Sequence, residues 1–512
     1  MAVSISQAVG IFRSWFWPVQ KNERKLFVPL LLIFFFICFD YNLLRAAKDS
    51  LVITAPSAGA EILPFMKLWV ILPMAFIMTL LFTRLANRYT TEKVFYIMIS
   101  LFLSFFVLFS FVIYPLRDTL HPHAFADALE GALPPGLKGL IALFRNWTFT
   151  AFYVMAEMWS TMIMTVMFWG FANEILDVKT AKRFYVLILI GGNVAAICAG
   201  SISTGLSLLA DRWSLGIGGD PWQYSLSLMS LVVVASGVVI IAIFRWLCKN
   251  IIRNPAYKSQ LSADAANETP PIKMSMRNNF KYLLQSKYLL CIAAIVLGYN
   301  ACISLTEICW KDQLLHIRPL PNDFNAYMGH VIKWTGIVAT IIAVITNVTI
   351  RRLSWTWNAM VTPFLLLITG VGFFAFLLLK GSSAGIGIAA LCGTTPVALG
   401  VLFGAMQQTT SRASKYTIFD ATKELAFIPL PRESKIKGKA AIDGVGSRLG
   451  KSGSAVIYQL LLPFLGTVSA TIPYIAFTML LVIGAWMFAV SYLGKRFQSF
   501  DIREEEPASQ ST

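Results

Sequence analysis

Five ionisable side chains sit well inside long apolar runs of the sequence: Asp40, Lys67, Glu157, Glu307 and Lys333. Arg45, Lys48, Arg145 and Lys451 lie near the ends of such runs. An ionised group at the centre of a bilayer costs about 2.5–3.5 kcal/mol on insertion scales, so each one implies a partner, a hydrated cavity or a function. Helical spacing groups them. Asn146, Tyr153, Glu157 and Ser160 share one helix face; Asn300, Ser304, Glu307 and Lys311 share a second; Tyr41, Arg45 and Lys48 make a third, shorter stripe. Polar stripes on otherwise apolar helices predict a common hydrated cavity. The competing reading is packing glue, in which a Glu–Lys pair merely locks helices together.

The residue types define what such a cavity could hold. Lys and Arg supply point charges and forks suited to phosphate. A membrane Glu can pair with those cations when the site is empty, or carry a proton. Both signs together fit a polyanion carrier better than a sugar or peptide carrier. Tyr41, Tyr153, Trp159 and Trp169 could stack on a base, although aromatics are abundant throughout and ordinary packing competes for each.

The elements that must position these residues are membrane helices. Of 512 residues 57% are hydrophobic and only 13% charged, with a mean hydropathy of +0.66. A soluble domain carries roughly 25% charged residues, so a soluble fold is excluded. Runs long enough for a span occur at 27–44, 62–83, 94–115, 140–171, 184–209 and 224–247, then at 288–310, 331–350, 358–379, 385–408, 452–469 and 472–494. The expected fold is therefore an all-α integral membrane protein of twelve transmembrane helices. Its predicted divisions are a cytoplasmic N-terminal segment (1–26), a six-helix half (27–247), a cytoplasmic linker (248–287), a second six-helix half (288–494) and a cytoplasmic tail (495–512). A second polar segment runs from Thr409 to Lys451, and the stretch from Pro463 to Pro473 reads as either a turn or a kink. Asp40-Tyr41-Asn42 in the first span and Gly298-Tyr299-Asn300 in the seventh are a faint echo between the halves. Such a 6+6 repeat about an axis normal to the membrane is the major-facilitator arrangement.

With both termini cytoplasmic, inside segments hold 32 Lys and Arg and outside loops hold nine. That asymmetry predicts inside termini. It also locates the net charge of +17 as a topology signal, so no nucleic-acid partner is expected. The seven cysteines form no CxxC pair, which suggests neither a disulfide framework nor a zinc site. Gly450-Lys451-Ser452 resembles the end of a phosphate-binding GxxxxGK[ST] loop, but position 445 is Val445 and no strand precedes it. His121-Pro122-His123 lacks further ligands at metal spacing. No metal and no cofactor are expected.

Several segments are shared with a known family: Lys48-Asp49 through Thr54-Ala55, Ala60 through Lys67, Phe168 through Glu174, Ala181 through Tyr185, Tyr327-Met328-Gly329, Phe419 through Glu424, Ile428-Pro429-Leu430, Lys437 through Asp443, and Gly450 through Gly453. In order and over nearly the whole chain, they resemble the bacterial and plastid nucleotide transporter family, the ATP/ADP translocases of chlamydiae, rickettsiae and plastids. The resemblance implies a twelve-helix carrier, not an enzyme, that moves ATP or another nucleoside triphosphate across a bacterial inner membrane by alternating access. The implied reaction is exchange for ADP and phosphate; the alternative is proton-coupled net import. By motif, the family's important membrane charges fall on Lys67, Glu157, Glu307 and Lys451. Arg45, Lys48 and Lys333 are expected to help neutralise phosphates, with Tyr153 and Asn300 on the same stripes. The chain departs from the exchangers at Leu305-Thr306-Glu307-Ile308-Cys309-Trp310-Lys311-Asp312, where they commonly read Leu-Val-Glu-Val-Thr-Trp-Lys-Ser, at Gln407-Gln408, where they tend to read Gln-Asn, and at Lys333, a position usually uncharged. The expected partners are nucleotides, phosphate or protons, and membrane lipid, for a monomeric carrier. A membrane-embedded enzyme acting on a phosphorylated lipid is the reading from another class, and a sugar or peptide symporter a third.

Overall fold

The computed structural model describes residues 19–20, 23–176, 178–253, 286–430, 442 and 447–505. All the regular structure among these residues is helical. Long apolar runs dictate this, because in a lipid core a backbone must satisfy its own amides, and a helix does so within one segment.

The first six crossings are α1 (Arg24–Ile53), α2 (Ile62–Arg88), α3 (Thr91–Ile113), α4 (Trp147–Ile175), α5 (Val178–Ile217) and α6 (Pro221–Ile252). The second set is α7 (Lys287–Ile317), α8 (Pro321–Arg352), α9 (Trp355–Leu378), α10 (Ser383–Leu391 with Pro396–Ser414), α11 (Ser447–Leu465) and α12 (Val468–Glu505). Ten are long and apolar enough to cross a bilayer unbroken; α10 is bent by 71°, and the apolar part of α11, Ser452–Leu465, is shorter. Side chains such as Leu215, Leu391 and Phe464 project almost fully exposed, as expected of a surface solvated by lipid.

The packing repeats. α1 lies against α4, α5 and α6, and α7 stands in the same relation to α10, α11 and α12; α3 pairs with α6 as α9 pairs with α12. This is the major-facilitator-like 6+6 arrangement.

Several boundaries differ from those read off the sequence, each for a local reason. The run 140–171 is two helices, Lys138–Arg145 and α4, broken at Asn146 (φ −109°, ψ 44°), whose side-chain amide donates to the Pro56 carbonyl at 3.2 Å. The stretch between Pro463 and Pro473 is a turn, made by Gly466 at φ +79°, a conformation that costs glycine nothing. α6 runs on to Ile252, past Cys248. α10 continues through the polar residues after Thr409 as far as Ser414. It can do so because Thr410, Ser411 and Ser414 donate back to the carbonyls of Met406, Gln408 and Thr410 at 2.8, 3.2 and 2.6 Å, which satisfies their hydroxyls inside the helix.

α5 and α8 form the principal seam between the halves. A Cβ on Gly200 would lie 2.4 Å from the Gly329 carbonyl oxygen, and one on Gly336 would lie 2.5 Å from that of Asn193. The two backbones therefore touch where side chains are missing. Farther along, Thr204 donates to the Ala326 carbonyl at 3.1 Å, Asn325 donates to Ser203 and Ser207 at 3.0 and 2.8 Å, and Asn322 pairs with Asp211 and with Ser225. On the other flank Gln459 of α11 donates to the Pro64 carbonyl at 2.9 Å and accepts from Trp69 at 3.1 Å. The Val468 amide donates to Glu61 at 3.3 Å. Burial, with Asp312 nearby, pushes the Glu61 carboxyl up from its ordinary range. These contacts run from mid-helix to one end, the end that the basic-residue asymmetry predicts to be outside.

A side chain on Gly200 is expected to wedge this seam apart. Overpacking of this kind costs about 1–3 kcal/mol, so Gly200→Val should lower the melting temperature of the purified protein by several degrees. Gly205→Val, on the same helix with nothing within 4 Å of its Cβ, should leave it unchanged.

Candidate functional site

The charges of the polar stripes converge where the seam begins. On α1, Lys48 follows Arg45 by one turn and directly precedes Asp49. The Lys48 ammonium donates to Glu157 of α4 at 2.6 Å and lies 3.7 Å from the centroid of the Tyr153 ring, one turn earlier on that helix. A cation over a ring face gains from the ring's quadrupole. Lys48 is also 3.9 Å from Asp49. Asp49 in turn lies 2.8 Å from Lys311 of α7, and Lys311 reaches Glu307, one turn back on its own helix, at 2.9 Å. Glu307 then receives Arg412 of α10 at 2.9 Å and Lys67 of α2 at 3.7 Å.

The result is one chain of alternating sign from Glu157 through Lys48, Asp49 and Lys311 to Glu307, ending on Lys67 and Arg412. Two of its links, Asp49–Lys311 and Lys67–Glu307, join α1 or α2 to α7 and so tie one half to the other. Exposure is graded along it. Asp49 and Lys311 are 1% and 2% exposed, whereas Lys67, Arg412 and Glu157 are 22%, 20% and 33% exposed. The chain is sealed at its centre and accessible at its ends. Arg45 is in electrostatic reach of Asp49, Glu157 and Glu307, so five cations face three carboxylates and the cluster keeps a positive excess.

Local backbone geometry helps to present these groups. Lys67 lies in a π-helical turn, Met66–Ile71, and another, Trp159–Phe168, begins two residues after Glu157. Such widened turns shift the register of the side chains that follow and recur at functional sites.

The structure brings together Lys48, Lys67, Tyr153, Glu157 and Glu307, with Arg45 beside them. Lys333 stands apart: its backbone and Cβ pack on Gly200 in the α5–α8 seam, and among the described residues it makes no ion pair. Asn300 donates to the Val296 carbonyl of its own helix at 2.8 Å and abuts Gly450. This contact puts the backbone next to Lys451 against α7, while the Lys451 side chain lies outside the described residues. Asp40 is apart as well, fully buried and accepting from Ser236 of α6.

Three members of the chain carried weaker signals. Lys311 was visible as the last residue of the α7 stripe. Asp49 could have been found as the only carboxylate one residue from Lys48. Arg412 was hidden because the sequence reads as loop after Thr409.

The family model for the TLC ATP/ADP transporter matches residues 3–497. The chain belongs to that family. Among the similar proteins, "ADP,ATP carrier protein 1" of Chlamydia pneumoniae is 43% identical over 503 residues, covering 98% of this chain and 97% of that one. The "Plastidic ATP/ADP-transporter" of Solanum tuberosum is 41% identical over 491 residues, 96% of this chain and 76% of that one. In fold, the chain is similar to a bacterial homologue of the iron transporter ferroportin (TM-score 0.54, 14% identity, 92% of this chain and 98% of that one) and to the D-xylose-proton symporter (TM-score 0.51, 13% identity, 92% and 96%).

Removing one member of a buried pair strands its partner's charge, at a cost of about 3–5 kcal/mol. Lys311→Met should therefore destabilise the TLC fold strongly, because the buried Asp49 loses its 2.8 Å partner and keeps only the looser attraction of Lys48 and Arg45. Asp49→Leu combined with Lys311→Met should recover most of the loss. Thermal unfolding of the single and double variants in detergent gives the coupling directly.

Proposed function

We propose that this chain exchanges ATP for ADP across a membrane by alternating access between its two six-helix halves (27–247 and 288–494), with the ion-pair chain as the substrate site. The observation that carries the reading is the composition of that chain: cations in excess of carboxylates, drawn from both halves, and accessible at Lys67 and Arg412. Phosphate oxygens can take the places the carboxylates now hold. Lys67, Lys48 and Arg45 then face the nucleotide from one half and Lys311 and Arg412 from the other, with Lys451 joining them on the family motif alone, while Glu157 and Glu307 act as stand-ins when no substrate is bound.

This gives exchange a physical basis. Opening the sealed centre requires Asp49 and Lys311 to separate, and either charge left buried without its partner costs several kcal/mol. A bound polyanion offsets that cost by bridging cations of both halves, and an empty site does not. A carrier that reorients readily only when loaded is an exchanger.

The same charge asymmetry orients the protein with both termini in the cytoplasm, for a bacterial source in the inner membrane. The described state is then closed to the outside. Nucleotides are its soluble partners, with phosphate co-substrate and lipid around a monomer; the basic loops face the cytoplasmic leaflet and need no nucleic acid. The reading leaves no catalytic step to the protein.

Proteoliposomes carrying the purified protein test this. Labelled ATP should enter ADP-loaded vesicles with matched ADP efflux, and should not enter vesicles loaded with sucrose. Entry into empty vesicles that an uncoupler abolishes would instead assign proton-coupled import, and transport of no nucleotide would overturn the reading. Lys67→Ala is expected to lower ATP uptake at least tenfold with protein abundance unchanged; equal losses in both would make Lys67 a packing residue.

A further inference from the structure

Arg412 and Gln408 occupy one face of α10, a single turn apart. Arg412 uses one nitrogen for both of its hydrogen bonds: Nη2 donates to Glu307 Oε1 at 2.9 Å and to Gln408 Oε1 at 3.3 Å. Its Nε is buried and has no partner among the described residues. Because a guanidinium only donates, the Gln408 amide must turn its oxygen toward Arg412 and its nitrogen away. That nitrogen is likewise buried without a partner, in a side chain 1% exposed. Two donors of the C-terminal half therefore stand beside the ion-pair chain with no acceptor among the described residues.

Glu307 cannot supply what they lack. Its Oε1 already takes Lys311 at 2.9 Å as well as Arg412, and Oε2 faces Lys67 at 3.7 Å. Three cations on one carboxylate leave positive charge uncompensated, and Lys67 and Arg412 are the two of the three that are accessible. They come from opposite halves and converge on the same carboxylate. A tetrahedral phosphoryl group has more acceptor oxygens and more charge than a carboxylate, and the Nε–Nη2 edge of a guanidinium matches two of those oxygens.

We infer that Arg412 is a phosphate ligand of the carrier, gripping one phosphoryl group of the substrate through its two-nitrogen edge opposite Lys67, with Gln408 as its positioning residue and Glu307 as the placeholder that the phosphate displaces. The inference deepens the exchange reading and rests on it for the identity of the substrate. It makes a difference between Arg and Lys at position 412 the diagnostic feature, since lysine keeps the charge and loses the fork.

The test compares wild type, Arg412→Lys and Gln408→Leu by ATP uptake into ADP-loaded proteoliposomes, with inorganic tripolyphosphate and adenosine as competitors. Arg412→Lys should raise the KM for ATP about tenfold and weaken inhibition by tripolyphosphate by the same factor, with inhibition by adenosine unchanged. Gln408→Leu should move both in the same direction by a smaller factor. Unchanged KM and tripolyphosphate inhibition in Arg412→Lys would overturn the inference, and so would an equal weakening toward adenosine, which marks general damage to the site. Tripolyphosphate binding in detergent, read as a rise in melting temperature, separates the two claims. If wild type exchanges no nucleotide yet tripolyphosphate stabilises it and not Arg412→Lys, the phosphate fork stands and the exchange reading falls. If tripolyphosphate stabilises both variants equally, the fork falls whatever the transport result.

Discussion

A charge held within a bilayer has no water to screen it, so its neighbours must neutralise it. The centre of this protein is organised by that constraint. Each of Lys48, Asp49 and Lys311 has two opposite charges within 4 Å, and Glu307 has three. Because the charges alternate along a line that runs from α4 through α1 and α7 to α2 and α10, no member can move without loosening the next. The helices that carry these charges are thereby coupled in position.

Much of the architecture was legible in the sequence. Spans reveal themselves by length and apolarity, and the 32-to-nine split of basic residues by simple counting, because the bilayer imposes both. Lys67, Glu157 and Glu307 stood out for the same reason. Where reading failed, a polar side chain had been satisfied in a way that composition does not show. Arg412 looked like part of a loop since it follows Thr409, Thr410 and Ser411, yet hydroxyls that bond to their own helix leave that helix free to continue. Asn146 looked like the first residue of a stripe and instead breaks the helix, its amide taken by Pro56. Asp49 was passed over beside the more conspicuous Lys48, and only the approach of α7 makes it a partner of Lys311. Such partnerships depend on how helices cross, which periodicity along one helix does not encode.

The two kinds of contact between the halves divide the labour. Ion pairs at the centre are strong, directional and few. The α5–α8 seam is extensive and made of close backbone approach at Gly200, Gly329 and Gly336. Toward its end it is fastened by Ser203, Ser207, Asn322 and Asn325. The centre can thus respond to a ligand's charge, and the seam can follow without being repacked.

Those seam fastenings have a consequence of their own. They are almost all between neutral hydroxyls and amides, and such groups exchange a protein partner for water at nearly equal free energy. Among these fastenings, parting the seam at an aqueous face therefore leaves only Asp211 as a charge that must be solvated. The two ends of the reorientation can then lie within a few kcal/mol of each other, the range in which a small ligand's preference for one state decides which is populated. A seam of interdigitated leucines would have made one state a trap. Glycine, serine and asparagine make it reversible.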